Sequence, residues 1–298
     1  DGLKPDLDSA FEQNFISDQN GQLKGMPLSS HIRILNSNSW EKSYTVYDNK
    51  RRAIGTYKQN HLGGFTKTES ELNFSGLPTK STTVHKRNQN GVEVTVVEQF
   101  TYDHMLRLTT HTHSVNGGIP QVLAKNTYDE LGQLKNKKVG GDNNMLARWQ
   151  SVDYKYNIRG WLTDINNVNL GMLGEYQFPM SAYDDLFSFK IMYNEIFEDT
   201  GNGAQPLFNG NIAQTFWKTG SNNKLRGYDY SYDSLNRLLR AEFYNSEVQP
   251  YTGAYNEIIN YDLNGNITSL NRTTGDNSGA AVAMDELTYT YKGGNGNS

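Results

Sequence analysis

His111 and His113 lie two residues apart on an alternating segment, so both would project from one strand face. With His104 nearby they form the closest histidine group, and the two imidazoles on one face are a conceivable metal pair. Histidines at this spacing on a polar strand are more often solvent-facing, which is the preferred reading. Asp262-Leu-Asn264-Gly-Asn266 and Asp199-Thr-Gly-Asn202 resemble calcium loops, but neither has the full oxygen spacing closed by a bidentate Glu. Both are better explained as turns. Glu195, Glu198 and Asp199 gather carboxylates in an irregular stretch, the raw material of glycoside cleavage without an evident partner geometry. Trp40, Trp149, Trp161 and Trp217 could stack on sugars at a sheet surface, although packing within the protein is favoured for each. No phosphate-cradling Gly loop, nucleophile elbow or zincin helix is present. The expectation is a chain with no catalytic, cofactor-binding or metal-binding residues, and therefore not an enzyme.

The elements that would position these residues are set by an internal repeat. A Tyr-Asp pair, a tight turn, then a basic or amide residue and an aliphatic recur five times. The copies are Tyr102-Asp103-His-Met-Leu-Arg107-Leu108, Tyr128-Asp129-Glu-Leu-Gly132-Gln133-Leu134, Tyr156-Asn157-Ile-Arg-Gly160-Trp161-Leu162, Tyr232-Asp233-Ser-Leu-Asn236-Arg237-Leu238 and Tyr261-Asp262-Leu-Asn-Gly265-Asn266-Ile267. A looser sixth reads Tyr47-Asp48-Asn-Lys-Arg-Arg52-Ala-Ile54. Taking Tyr47, Phe74, Tyr102, Tyr128, Tyr156, Tyr193, Tyr232, Tyr261 and Tyr291 as the repeat aromatics, successive gaps are 27, 28, 26, 28, 37, 39, 29 and 30 residues. The two long gaps flank Asp199–Gly203, which reads as a loop insertion. A fixed period of this size marks an array of one supersecondary unit.

Within each unit the hydrophobic period is two, the signature of strands. Val92, Val94, Val96, Phe100 and Tyr102 share a face that Glu98 interrupts; Tyr228, Tyr230 and Tyr232 share another, as do Phe187, Phe189 and Ile191. Each copy is expected to be a β-hairpin. The Tyr ends a strand, the Asp binds the backbone of the turn, and Gly132, Gly160, Gly265 or Asn236 takes a positive φ. The aliphatic six residues after the Tyr begins the return strand. A single hairpin is marginal in water, so neighbours must pair. The one helix candidate is Asp6–Ile16.

Composition fits this picture. Only 36% of the 298 residues are hydrophobic, yet 12% are aromatic, with 19 Tyr, 12 Phe and 4 Trp, and mean hydropathy is -0.72. A net charge of -4 supplies no basic field for nucleic acid. With no Cys there are neither disulfides nor thiolate metal sites. No apolar run is long enough to span a bilayer as a helix, and the opening Asp1-Gly-Leu-Lys-Pro-Asp6 is not a signal peptide.

The copies resemble the YD repeats of RHS proteins, a family that includes teneurins and the shell components of insecticidal toxin complexes. The resemblance covers about residues 40–298. Trp40-Glu-Lys-Ser-Tyr-Thr-Val-Tyr47-Asp48, His61-Leu-Gly-Gly-Phe65 and Leu72-Asn-Phe74-Ser-Gly76 are similar to RHS-like proteins of Bacteroidetes. The resemblance implies an all-β array of antiparallel hairpins in a curved or spiralling sheet, part of a shell, with a segment 1–40 leading into repeats at 41–298. It implies a structural role for Tyr47, Asp48, Tyr102, Asp103, Arg107, Tyr128, Asp129, Gly132, Tyr156, Gly160, Tyr232, Asp233, Arg237, Tyr261, Asp262 and Gly265. It further implies a secreted or cell-surface protein that encloses or displays the remainder of its own polypeptide, such as a C-terminal toxin. Outer-membrane secretion machinery would be a partner. The alternative is an adhesin that binds surface glycans. The family's self-cleaving core carries an Asp-Pro pair that this chain lacks, so the residues give autoproteolysis no support. The last residues resemble half of another copy, which is the expectation for a fragment of a longer protein.

Overall fold

The computed structural model describes residues 11–13, 15–16, 22–35, 37–141, 150–170, 185–197, 204–245, 252–276 and 279–291. They are all-β, with 18 strands paired antiparallel. The chain divides into two compact units, the first of residues 1–127 and 137–149 and the second of 128–136 and 150–298. The strands in chain order up to the division are β1 (Ser29–Arg33), β2 (Trp40–Tyr47), β3 (Ala53–Gln59), β4 (Gly63–Leu72), β5 (Pro78–Asn88), β6 (Glu93–Tyr102), β7 (Leu108–Val115) and β8 (Gln121–Tyr128). Strand β9 (Leu134–Val139) falls across it. Then come β10 (Gln150–Tyr156), β11 (Leu162–Ile165), β12 (Phe187–Met192), β13 (Gln214–Thr219), β14 (Arg226–Tyr232), β15 (Leu238–Asn245), β16 (Glu257–Tyr261), β17 (Ile267–Gly275) and β18 (Ala281–Thr288). Each strand pairs with the next in sequence from β1 to β8 and again from β10 to β18, a meander of hairpins in both units. No helix among the described residues is long and apolar enough to cross a membrane.

A single sheet has two faces to cover, and each unit covers part of one with its own connecting segments. In the first unit Phe11, Val46 and Ile54 form a small core, joined by Phe15, Tyr57 and Leu72. The helix expected over Asp6–Ile16 is absent at its described residues. Side-chain and sheet contacts outbid local propensity there. Phe11 plugs the sheet above Gly55, where a Cβ would collide with its ring. The Glu12 and Gln13 N–H groups donate to the buried Glu69 carboxylate at 3.2 and 2.6 Å, and the Ile16 N–H donates to the Tyr47 carbonyl at 2.9 Å. These donors are therefore committed to the sheet instead of to a helical turn.

In the second unit Val168, Met192 and Phe216 are buried together, with Leu170, Phe197, Leu225 and Tyr244 against them. On the same face Asp164 pairs with Lys190 at 3.0 Å, and Gln214 donates to Asp229 at 2.8 Å while accepting from the Phe197 N–H at 2.6 Å. Every buried charge or amide named here has a partner, as a dry interior requires.

Candidate functional site

The Tyr-Asp copies close one hairpin after another with the same atoms. In the copy after β6, the Leu106 N–H donates to the Asp103 carbonyl and the Asp103 N–H to the Arg107 carbonyl, both at 3.0 Å. The Asp103 carboxylate accepts the Met105 and Arg107 N–H groups on Oδ1 at 2.9 Å each, and the Arg107 Nε on Oδ2 at 2.7 Å. This is a type I turn followed by a left-handed residue, which leaves a bulge beside the Tyr. Register slips between Thr101 and Tyr102, and equally before Tyr47, Tyr156, Tyr232 and Tyr261. Asp48 with Arg52 and Asp233 with Arg237 repeat the whole pattern, and in Asp262 with Asn266 an amide replaces the guanidinium. The Tyr47 copy is no looser than the others, since Ala53 opens its return strand.

Spacing misplaced one aromatic. The turn between β4 and β5 is Asn73–Leu77, so Leu72 occupies the Tyr position and Phe74 sits at the exposed tip. The same turn also closes opposite hairpin ends at Asn60–Gly64 and Asp276–Ala280, which sequence reasoning missed. The signal was present as Asx followed three residues later by Gly: Asn60/Gly63, Asn73/Gly76 and Asp276/Gly279.

The residue three after the Asx carries a positive φ, from +86° at Gly132, +80° at Gly160 and +88° at Gly265 to +64° at Asn236. Leu106, at +63°, and Arg51, at +62°, carry long side chains at this position. A left-handed L-residue costs about 1–2 kcal/mol, and glycine's extra unfolded-state entropy cancels part of the gain from replacing it. Leu106→Gly should therefore raise stability by about 0.5–1 kcal/mol in thermal or urea melts. A drop would show that the half-exposed Leu106 side chain contributes more by packing than its backbone costs.

The tyrosines do more than end strands. Their hydroxyls reach back along the chain to carbonyls in seven places, among them Tyr102 to Pro78 at 2.8 Å, Tyr156 to Leu134 at 3.0 Å, Tyr261 to Leu238 at 2.9 Å and Tyr291 to Ile267 at 3.0 Å. In these four, and for Tyr193 on Leu162, the acceptor is the first residue of the return strand of an earlier hairpin. Tyr47 to Pro27, Tyr193 to Leu162 and Tyr232 to Ile212 make the same kind of bond at 2.8, 3.1 and 2.9 Å. Arg52 and Arg237 add a forward link, each Nη1 donating to the carbonyl of the Asx that opens the next turn at the same hairpin end, Asn73 at 3.0 Å and Asp262 at 3.1 Å. Burial pushes the Tyr102, Tyr156, Tyr193 and Tyr232 phenols up, so they remain protonated donors.

The turn carboxylates are shifted the other way. At Asp48 and Asp103 the upward push of desolvation is outweighed by the N–H and guanidinium of the Arg four residues on. At Asp233 the Arg237 N–H leads, and at Asp262 the Asn266 side-chain amide does. A folded-state value held below the ordinary 3.8 gives stability that is complete above that pH and is lost as pH falls through the depressed values. Urea midpoints should be flat from neutrality to about pH 5 and fall steadily below about pH 4. An unchanged midpoint at about pH 2.5 would contradict the charged turns.

The other sequence candidates are dispersed or already engaged. His111 Nε2 meets Glu98 Oε1 at 2.9 Å and its ring stacks on Phe100 at 4.6 Å, which explains why Glu98 interrupts that apolar face. His113 stands opposite Glu98 in register, and His104 is exposed at a turn. Among the described residues no three His, Asp or Glu side chains converge as a metal site would need. Asp262 is spent on its turn, Glu195 is exposed, and Glu198, Asp199–Gly203 and Trp149 lie outside the described residues. Trp161 packs on Tyr193, with ring centroids 5.2 Å apart, and touches Gly210. Trp40 is exposed at the start of β2. Trp217 stacks on Tyr228 at 5.8 Å, part of a row of aromatics on the face opposite Phe216.

No protein-family model matches the chain, and no curated protein matches it. Among solved structures, the crystal structure of TcdB2-TccC3-Cdc42 aligns with 88% of this chain at 12% identity, with a TM-score of 0.26. The chain spans 17% of that protein's length. A porin-like protein from Bacteroides uniformis aligns over 87% of this chain and 93% of its own, at 9% identity and a TM-score of 0.30. At such scores neither likeness decides fold or function.

Proposed function

We propose that this chain is a non-catalytic structural module of an exported RHS-like protein, a stretch of wall that encloses or displays another part of its own polypeptide. The occupant implied by the YD-repeat resemblance is a C-terminal toxic domain. Support comes from where the repeat side chains go. Asp, Arg and Tyr, the groups that would otherwise be available for chemistry, are used copy after copy to close turns and tie each hairpin to another. Side chains engaged in this way favour a structural wall over a reactive site. Export to the cell surface or medium through outer-membrane machinery belongs to the same reading.

The test is protease protection of the native parent protein. The enclosed segment should survive at protease levels that destroy it when expressed alone. Digestion at equal rates in the two settings would overturn enclosure. Labelling of intact cells by an antibody to the array would support surface export, and recovery solely from the cytoplasm would sink it.

A further inference from the structure

The face of the second unit opposite Phe216 carries a row of aromatics. Phe187 and Phe189 stack at 6.1 Å on β12, and Phe189 pairs with Trp217 on β13. From there centroid separations run 5.8 Å from Trp217 to Tyr228, 5.5 Å from Tyr228 to Phe243 and 5.2 Å from Phe243 to Tyr255. At its Tyr255 end the row opens into a groove of about 390 Å³, lined by Tyr228, Tyr230, Tyr255, Glu257, Arg272 and Met284 among others. That size is within the range of small-ligand sites.

Three observations show that the groove is built. Tyr255 holds φ +62°, a conformation costly for an aromatic residue, while the residue remains 49% exposed. The strain is maintained by its neighbours: the Asn256 Oδ1 accepts the Phe243 N–H at 2.8 Å, the Asn256 N–H donates to Thr273 Oγ1 at 2.9 Å, and Thr273 Oγ1 donates to the Gly253 carbonyl at 2.6 Å. The rings are locked as well. The Tyr228 hydroxyl donates to the Tyr255 carbonyl at 3.0 Å, and the Tyr230 hydroxyl bonds Thr215 Oγ1 at 3.2 Å. A rigid ring platform loses little entropy on binding.

The chemistry of the lining selects the occupant. Glu257 and Arg272 are cross-strand partners, and Arg272 is in turn held by Asp285 at 2.5 Å. Glu257 offers an acceptor beside Arg272, and Asp285 already offsets the charge of Arg272, so the rim presents polar groups without a free cation for an anionic ligand. A sugar ring has an apolar C–H face that stacks on a flat aromatic and an edge of hydroxyls that needs donors and acceptors together. We propose that this groove and the row beside it form a binding site for an uncharged linear oligosaccharide, stacked on Tyr255 and Tyr228 and hydrogen-bonded by Glu257 and Arg272. The site stands on this face alone and does not depend on the chain acting as a wall.

The experiment is an array of neutral oligosaccharides, including β-1,4-linked glucose, mannose and xylose hexamers and an α-1,4-linked glucose hexamer, probed with the whole chain and followed by calorimetry. Saturable binding to at least one probe is expected. Tyr255→Gly removes the ring and relieves the positive φ, so the protein should fold at least as well while affinity falls about tenfold or more. Arg272→Gln should weaken binding while leaving an apolar dye's affinity unchanged. Phe74→Ala, on the other unit, should bind as the parent does. No binding to any probe, or binding indifferent to Tyr255→Gly, overturns the proposal; binding of charged glycans alone overturns its selectivity.

Discussion

Phe216→Ala is expected to cost the second unit about 3–5 kcal/mol. The ring is fully buried and meets Phe197 and Tyr244 edge-on, with centroids 5.5 and 5.8 Å away. Behind it lies Gly227, where a Cβ would come within 2.6 Å of the Phe216 ring and of the Thr215 carbonyl oxygen. The backbone of β14 has thus been brought as close to this ring as chemistry permits, so little can move inward to fill the hole. Urea denaturation of the variant should show the full cavity cost. A loss under about 1 kcal/mol would mean that Val168, Met192 and Phe197 collapse into the space. Trp217, the next residue, faces the other side of the sheet and is only half-buried. Its replacement by Ala should be clearly milder.

Gly64→Ala should be nearly as damaging in the first unit, at about 3 kcal/mol. A Cβ there would run into the Lys86 carbonyl oxygen and the Arg87 backbone of β5. No rotamer change relieves a clash with main chain. The Gly64 N–H is also bound to Asn60 Oδ1 at 2.9 Å, which fixes the strand from its other side. The variant must therefore open the β4–β5 pairing near Phe65 and Lys86, and amide hydrogen exchange should accelerate there first. Unchanged protection at those amides would show that β4 can shift sideways without cost.

The hairpins were legible because their cause is local. An Asp carboxylate, two or three N–H groups and a left-handed residue all lie within five positions, so the turn writes itself into adjacent letters. Phe74 was mistaken for a repeat aromatic because spacing alone was counted, whereas Asn73 and Gly76 carry the turn and Leu72 ends the strand. The tyrosine hydroxyl bonds were not legible. Their acceptors are carbonyls, which every residue possesses; Leu134 and Ile267 hold the aliphatic place of the repeat, but a side-chain pattern does not say what their carbonyls bind. The burial of one face was equally hidden, since Phe11 and Phe197 reach the sheet from irregular segments without period. Tyr255 escaped notice because its importance lies in a backbone angle that its side chain disfavours.

The hydroxyl bonds have a bearing on how such a chain can be altered. Sequence separation between a tyrosine and the carbonyl it holds varies from 20 residues for Tyr47 and Tyr232 to 31 for Tyr193, while the bond length stays between 2.8 and 3.1 Å. Extra chain is accommodated between the two anchor points without disturbing either. A foreign peptide spliced into that slack would be carried by the scaffold as a passenger, provided the tyrosine and the strand opening on its far side are left in place.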